Sequence, residues 1–309
     1  MVIWRRHPCV TMIYAQLYRL IGRWPVVISS LTLSYVHPPI PAHMTHSLDA
    51  KALAEFAVHT AEEAGQIALK YFRTDLAVTN KARKRAFDPV TQADKEVEQC
   101  IRARIRERYP THRIVGEEFG TQGDEKAPAW LIDPIDGTRT FISGSPMWGV
   151  LLGLIDGEQP IAGLMHQPFV GETFVGSSAG AFLVRNGEWR KLSVRGTESL
   201  ADATVACTHP SMFRTPPELA AFQRVESKCR LSRYGTECYG YCLLAGGFLD
   251  IVIEADLEPY DIVPLIPLVE AAGGIVTNWR GEPAIAGGGV VASATKVLHE
   301  QVLKLLNSH

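Results

Sequence analysis

Ala129-Trp130-Leu131-Ile132-Asp133-Pro134-Ile135-Asp136-Gly137-Thr138 reads as a short apolar strand that runs into two carboxylates and then a glycine. Two like charges this close repel each other and call for a cation between them. The available donors are hard oxygens, the carboxylates of Asp133 and Asp136 and the carbonyl of Ile135 between them. Such a set suits magnesium, whereas zinc would draw His or Cys. Gly137 lets a ligand approach the backbone closely, and the amides of Gly137 and Thr138 at a helix start offer N–H groups to a phosphate. Clustered carboxylates, cations and helix-end amides together form an arrangement expected of phosphoryl chemistry.

Three further acidic segments lie at Asp88 to Asp94, at Gly116-Glu117-Glu118 and at Tyr260-Asp261. Any one of them alone reads as a turn or helix cap. Upstream, Leu53, Phe56, Ala57, Thr60, Ala64, Ile67, Ala68 and Tyr71 recur at helical spacing and predict a long amphipathic helix from Ser47. Val97, Ile101, Ile105 and Tyr109 predict a second, so that Asp88 and Asp94 flank its start.

Short strands are then expected near 113–116, 130–132, 147–155, 160–166, 173–176 and 181–184, which implies a mainly antiparallel sheet. Beyond Gly196 the pattern changes to alternating strand and helix. Strands are expected at 203–207, 229–234 and 250–254, and helices near 217–226, 239–246, 261–272 and 295–306. This divides the chain into an extension over 1–43, an α+β half over 44–196 carrying the acidic motifs, and an α/β half over 197–309.

The composition is that of a globular protein: 309 residues, 46% hydrophobic and 21% charged. A formal net charge of −2 supplies no field that would gather the chain onto nucleic acid or an anionic membrane, so an anionic substrate must be held locally. The basic run Lys81 to Arg85 lacks interleaved aromatics and reads as a solvated face or a loop over the site. Cys9, Cys100, Cys207, Cys229, Cys238 and Cys242 form neither a disulfide framework nor a zinc signature, which suggests reduced thiols and a cytoplasmic setting. The first 43 residues are too polar and interrupted for a signal peptide or a membrane span, and Met44 reads as an ordinary amino terminus, so an over-extended start is expected.

The ordered set Asp88-x-Val-Thr-x-x-Asp94, Gly116-Glu117-Glu118, Asp133-Pro-Ile-Asp136-Gly-Thr138 and Asp261, with Glu270-Ala-Ala-Gly-Gly behind it, resembles the inositol-monophosphatase superfamily. The resemblance covers nearly everything from Ser47 onward. It implies the layered αβαβα sandwich, of mixed α+β and α/β character, shared by inositol monophosphatases and fructose-1,6-bisphosphatases. It also implies two or three magnesium ions and a homodimer acting on a small phosphate monoester, with an activated water and no covalent intermediate. Carried over by position, it gives Glu117, Asp133 and the Ile135 carbonyl to one ion, and Asp133, Asp136 and Asp261 to another. Asp94 and Thr138 would orient the water, with Glu117 counted among the catalytic groups, and Gly137 and Thr138 would meet the phosphate. Asp88 has a weaker claim to ligation.

Within that superfamily, Arg139-Thr140-Phe141 and Tyr260-Asp261 replace the Thr-Asn-Phe-like and Trp-Asp patterns of inositol phosphatases, and Tyr234-Gly235 resembles the histidinol-phosphate phosphatase branch. Arg139, Glu254 and Asp261 are the residues through which the resemblance would read the substrate, and Asp256 and Glu258 make that segment unusually acidic. A substrate carrying an amine and an imidazole would gain from acidic partners more than a neutral polyol would. Histidinol phosphate is thus expected as substrate and histidine biosynthesis as context, with inositol 1-phosphate or a sugar or nucleotide monophosphate as the alternative. An idle binding protein on the same fold would have lost a metal carboxylate or Thr138, and all are present. His166 is expected to be structural, and Tyr239 and Tyr241 to pack in the core.

Overall fold

The computed structural model describes residues 49–75, 79–80 and 89–308. The amino-terminal extension, the basic run Lys81 to Arg85 and Asp88 lie outside the described residues.

Helix α1 (Ala50–Leu69) starts where the Asp49 carboxylate accepts the Lys51 N–H at 3.0 Å, and buries the stripe Leu53, Ala57, Ala61, Ala64 and Ala68. After the short pair β1 (Thr79–Asn80) and β2 (Pro89–Val90), helix α2 (Gln92–Arg108) buries Val97, Ile101 and Ile105. Asp94 lies just inside the start of this helix, as expected. It is the third helical residue, in a capping box with Thr91.

The strands β3 (Arg113–Gly116), β4 (Gly120–Gln122), β5 (Ala129–Asp136), β6 (Gly149–Asp156), β7 (Gln159–Gln167), β8 (Glu172–Ser177), β9 (Gly180–Arg185) and β10 (Glu188–Lys191) form one eight-stranded sheet in the order β10-β9-β8-β7-β6-β5-β3-β4. Its pairings are antiparallel, as expected, except β3 with β5. Helix α3 (Thr138–Ile142) interrupts the run between β5 and β6.

Behind it, β11 (Thr204–Cys207), β12 (Leu231–Tyr234), β13 (Ile251–Leu257), β14 (Ile275–Asn278) and β15 (Gly288–Ser293) form a mixed five-stranded sheet in the order β12-β11-β13-β15-β14. The helices of this region are α4 (Pro216–Glu226), α5 (Tyr239–Ala245), α6 (Pro259–Ile262), α7 (Ile266–Ala271) and α8 (Lys296–Leu306).

Apolar clusters fill the spaces between five layers. Val150, Leu152 and Leu154 of β6 face α1 and α2, while Leu151 between them faces α5 and α7. Likewise Val252 of β13 faces α5 and α7, and its neighbours Ile251 and Ile253 face α4 and α8. This two-residue alternation, buried on both sides, is why these strands read as unbroken apolar runs. The layers are α1/α2, large sheet, α5/α7, small sheet and α4/α8, the expected αβαβα sandwich.

Some elements differ from the sequence expectation. The single helix expected over 261–272 is two, because Pro264 has no N–H to continue the ladder. The edge strands β4 and β10 escape notice because both are exposed along their length and carry no alternation. The strand expected at 130–132 continues as β5 through Asp136, with a register shift between Asp133 and Asp136.

Candidate active site

That irregularity in β5 builds the site. The Asp133 carboxylate folds back to accept the Ile135 N–H at 3.0 Å, an Asx turn that lifts the strand off its partner β6 and sends Asp136 out at its end. Gly137 then takes φ +80°, a left-handed conformation that only glycine adopts without strain, and turns the chain into α3. Thr138 donates its hydroxyl to the Ile135 carbonyl at 3.1 Å, so the two residues expected to serve water and metal are linked directly.

Asp261 arrives from the other half of the chain. Val263 packs with Ala129 and Leu131 of β5, which seats α6 against the strand, and the Asp261 carboxylate accepts the Glu258 N–H at 2.8 Å. Carboxylate oxygens of Asp133, Asp136 and Asp261 then all lie within 4.8 Å of one another. Asp133 is 3% exposed.

Burial pushes the Asp133 carboxyl well above the usual range, and the charges of Glu117, Asp136, Asp261 and Asp94 push it further. Asp261 is raised for the same reason, by burial and then by Asp136 and Glu117, against the pull of the Glu258 amide. Burial also raises Asp136, which the Cys238 thiol and N–H partly offset. Three carboxylates this close, Asp133 buried and Asp136 and Asp261 half-buried, form a donor set for a hard divalent cation, and the residues present fit one. Glu117 follows β3, and its N–H donates to the Ile132 carbonyl at 3.2 Å, next to Asp133. It stands outside the close triad, yet its charge reaches both Asp133 and Asp261. Asp94 is buried, accepting the N–H and hydroxyl of Thr91 at 2.8 and 2.6 Å, and its charge is felt at Asp133.

Glu254, on β13, accepts the N–H and hydroxyl of Thr208 at 2.9 and 3.2 Å, and its other carboxylate oxygen is buried with no hydrogen-bond partner among the described residues. Burial, then Glu237 and Asp136, raise it well above the carboxylate range. Asp256 and Glu258 do not join it. Asp256 pairs with Arg214, and Glu258 is exposed, giving its backbone N–H to Asp261. Arg139 is exposed, and its charge reaches Glu237.

Sequence reasoning passed over Glu237. It accepts the Thr140 hydroxyl at 2.7 Å, sits at φ +46°, and lies so close over Gly137 that a Cβ there would come within 3.2 Å of its Cγ. Burial and then Asp136 raise its carboxyl, while Thr140, Thr208 and Arg139 hold it down. A left-handed non-glycine residue facing a buried acid signals constraint, but its sequence signal, Thr236-Glu237-Cys238, resembles any loop. His166 is structural as expected, sharing a hydrogen with the Thr173 hydroxyl at 2.8 Å. Tyr241 is buried and Tyr239 half-buried in the second core.

Residues 49–309 match the inositol monophosphatase family. The chain belongs to that family. It is 37% identical over 260 residues to the bifunctional phosphatase IMPL2 of Arabidopsis thaliana chloroplasts, covering 81% of this chain and 73% of the relative. It is 32% identical over 257 residues to the histidinol-phosphatase of Chlorobaculum parvum, covering 82% and 96%. An inositol monophosphatase structure from Zymomonas mobilis superposes with a TM-score of 0.74 at 33% identity, covering 85% and 100%. As a family member the chain is a phosphoric monoester hydrolase. Among the described residues no helix is long and apolar enough to cross a membrane.

Proposed function

We propose that this member of the family is a magnesium-dependent phosphatase that hydrolyses histidinol phosphate to histidinol and inorganic phosphate. One observation carries the substrate reading. Beyond the acidic triad, the half-buried Glu237 and the buried Glu254 crowd towards Asp136 and share the Thr208 hydroxyl, with burial and the charge of Asp136 raising both carboxyls, a crowding of acids that a cationic alcohol would relieve and a neutral polyol would not. The name of the Chlorobaculum relative agrees with this reading, and that of the Zymomonas structure favours inositol phosphate instead.

In this reading Glu117, Asp133 and the Ile135 carbonyl hold one ion, and Asp133, Asp136 and Asp261 another. When bound, the ions neutralise the phosphoryl charge and acidify water. The protein's own groups do the rest. Asp94 and Thr138 orient the attacking water, with the Thr138 hydroxyl held in place by the Ile135 carbonyl at 3.1 Å. The amides of Gly137 and Thr138 face the phosphate oxygens, and Arg139, Glu254 and Asp261 read the organic part. We extend the proposal to a cytoplasmic homodimer, on the family resemblance and the scattered free cysteines. Size-exclusion chromatography with light scattering tests the dimer.

The deciding experiment measures phosphate release from histidinol phosphate, inositol 1-phosphate and fructose 1,6-bisphosphate, each with and without magnesium. Magnesium-dependent turnover highest on histidinol phosphate is expected. Equal or faster turnover of inositol phosphate would reject the substrate assignment while leaving the phosphatase intact.

A further inference from the structure

The turn that carries Glu117 is closed by the antiparallel pairing of Gly116 with Gly120 and is also gripped from outside. Gly116 closes β3 and Gly120 opens β4, and the residues between them are gripped from α2. Glu98, with no exposed surface, accepts the Glu118 N–H at 2.7 Å and the Phe119 N–H at 3.3 Å. Arg102, one turn along, donates to Glu98 at 2.6 Å and to the Gly120 carbonyl. Gly116 is glycine because a Cβ there would stand 2.0 Å from the Glu98 carboxylate. Glu117, in the middle, is pinned by its own N–H to the Ile132 carbonyl at 3.2 Å.

A buried ion pair is a poor way to gain stability, since desolvating both charges offsets most of their attraction and a well-packed apolar pair often does better. This one instead spends its hydrogen bonds on three consecutive backbone groups, the N–H of Glu118, the N–H of Phe119 and the carbonyl of Gly120. Those groups determine where the Glu117 side chain leaves the chain. The grip comes from a helix anchored in the first core, so the loop inherits the rigidity of that helix.

We propose that the Glu98–Arg102 pair is a positioning device that sets the metal affinity of the site by fixing the backbone that directly follows Glu117. The proposal rests on the reading of Glu117 as a metal ligand. Neither residue touches the substrate or the acidic triad, so the pair acts on metal affinity through Glu117 and leaves the chemistry of the loaded site alone.

The test is magnesium binding by calorimetry to full-length protein stripped with a chelator, with each variant's fold checked by thermal melting. Glu98→Gln keeps the shape but cannot serve both amides and Arg102 at once. It is expected to weaken binding about tenfold or more, the effect of losing a partner behind a metal ligand. The magnesium concentration for half-maximal rate should rise in parallel, while kcat at saturating magnesium stays close to wild type. Glu63→Gln is the control. It breaks the pair between Glu63 of α1 and Arg104 of α2, also 2.6 Å long but away from the loop, and should leave binding unchanged. Should Glu98→Gln fail to fold, the double variant Glu98→Gln/Arg102→Met removes both charges together and is expected to fold with the same weakened binding. Wild-type binding in the folded Glu98 variant, or an equal loss in Glu63→Gln, overturns the proposal. Wild-type binding in Glu117→Gln overturns the ligand reading and the proposal with it, which separates the two failures.

Discussion

The Asp136 carboxylate accepts the backbone N–H of Cys238 at 2.9 Å, across a separation of 102 residues. Cys238 opens helix α5, so an acid at the end of β5 also receives the start of a helix from the other half of the chain. The bond ties the end of β5 to the segment that carries Glu237, and it locates the consequences of changing Asp136.

Asp136→Asn and Asp261→Asn should each lower kcat/KM by on the order of a hundredfold or more through weakened metal binding, with the fold retained. Steady-state phosphate release across a magnesium titration measures this. Activity near wild type in either variant would discard the site assignment.

Without metal, the triad is a source of instability. The folded protein raises the carboxyls of Asp133, Asp136 and Asp261 above their unfolded values, so it binds more protons there than the unfolded chain. That contribution is fully present at low pH and is lost as pH rises through the folded pKa values. At neutral pH, Asp136→Asn should therefore raise the Tm of the stripped protein by a few degrees, on the order of 1 kcal/mol. Magnesium at about a hundred times its Kd should stabilise wild type by roughly 2.7 kcal/mol and the variant by less. Scanning calorimetry with and without chelator reads both, and a lower Tm for the stripped variant would contradict the electrostatic account.

Histidine titration runs the other way. Burial pushes His299, held between the hydroxyls of Thr277 and Ser293, down to about 4. The unfolded chain takes up the proton first, so this stability is present above pH 6.5 and is lost as pH falls towards 4. His299→Gln should flatten the fall in unfolding free energy across that window by on the order of 2 kcal/mol, after discounting for partial solvent screening. Urea melts at several pH values test it, and an unchanged slope would remove His299 from the account.

Substrate choice should follow the second pair of acids. Glu237→Gln and Glu254→Gln are expected to lower kcat/KM for histidinol phosphate by roughly ten- to a hundredfold and to change inositol 1-phosphate turnover far less. Parallel losses on both substrates would mean that these residues shape the pocket without reading charge.

Much of this was legible in the chain. Asp133, Asp136 and Gly137 are neighbours in sequence, so the strand end, the left-handed turn and the carboxylate pair follow from local rules alone. The amphipathic stripe of α1 and the two-faced apolar strands likewise carry their burial in their spacing. Glu254 was marked from the family pattern. Glu237 and Glu98 were not, because each matters only through a residue far along the chain: Thr140 for Glu237, and Glu118, 20 positions on, for Glu98.

What the sequence determined by itself is therefore the reaction type, since hard oxygen donors next to a helix start specify their chemistry wherever they fold. The tertiary structure decided which acids act together. Asp256 sits only two residues from Glu254 yet pairs with Arg214, while Asp261 crosses from the other half of the chain to meet Asp133. Electrostatic coupling depends on distance and burial, and both are set by packing: Val263 on Leu131 for the triad, and α2 behind the Glu117 loop.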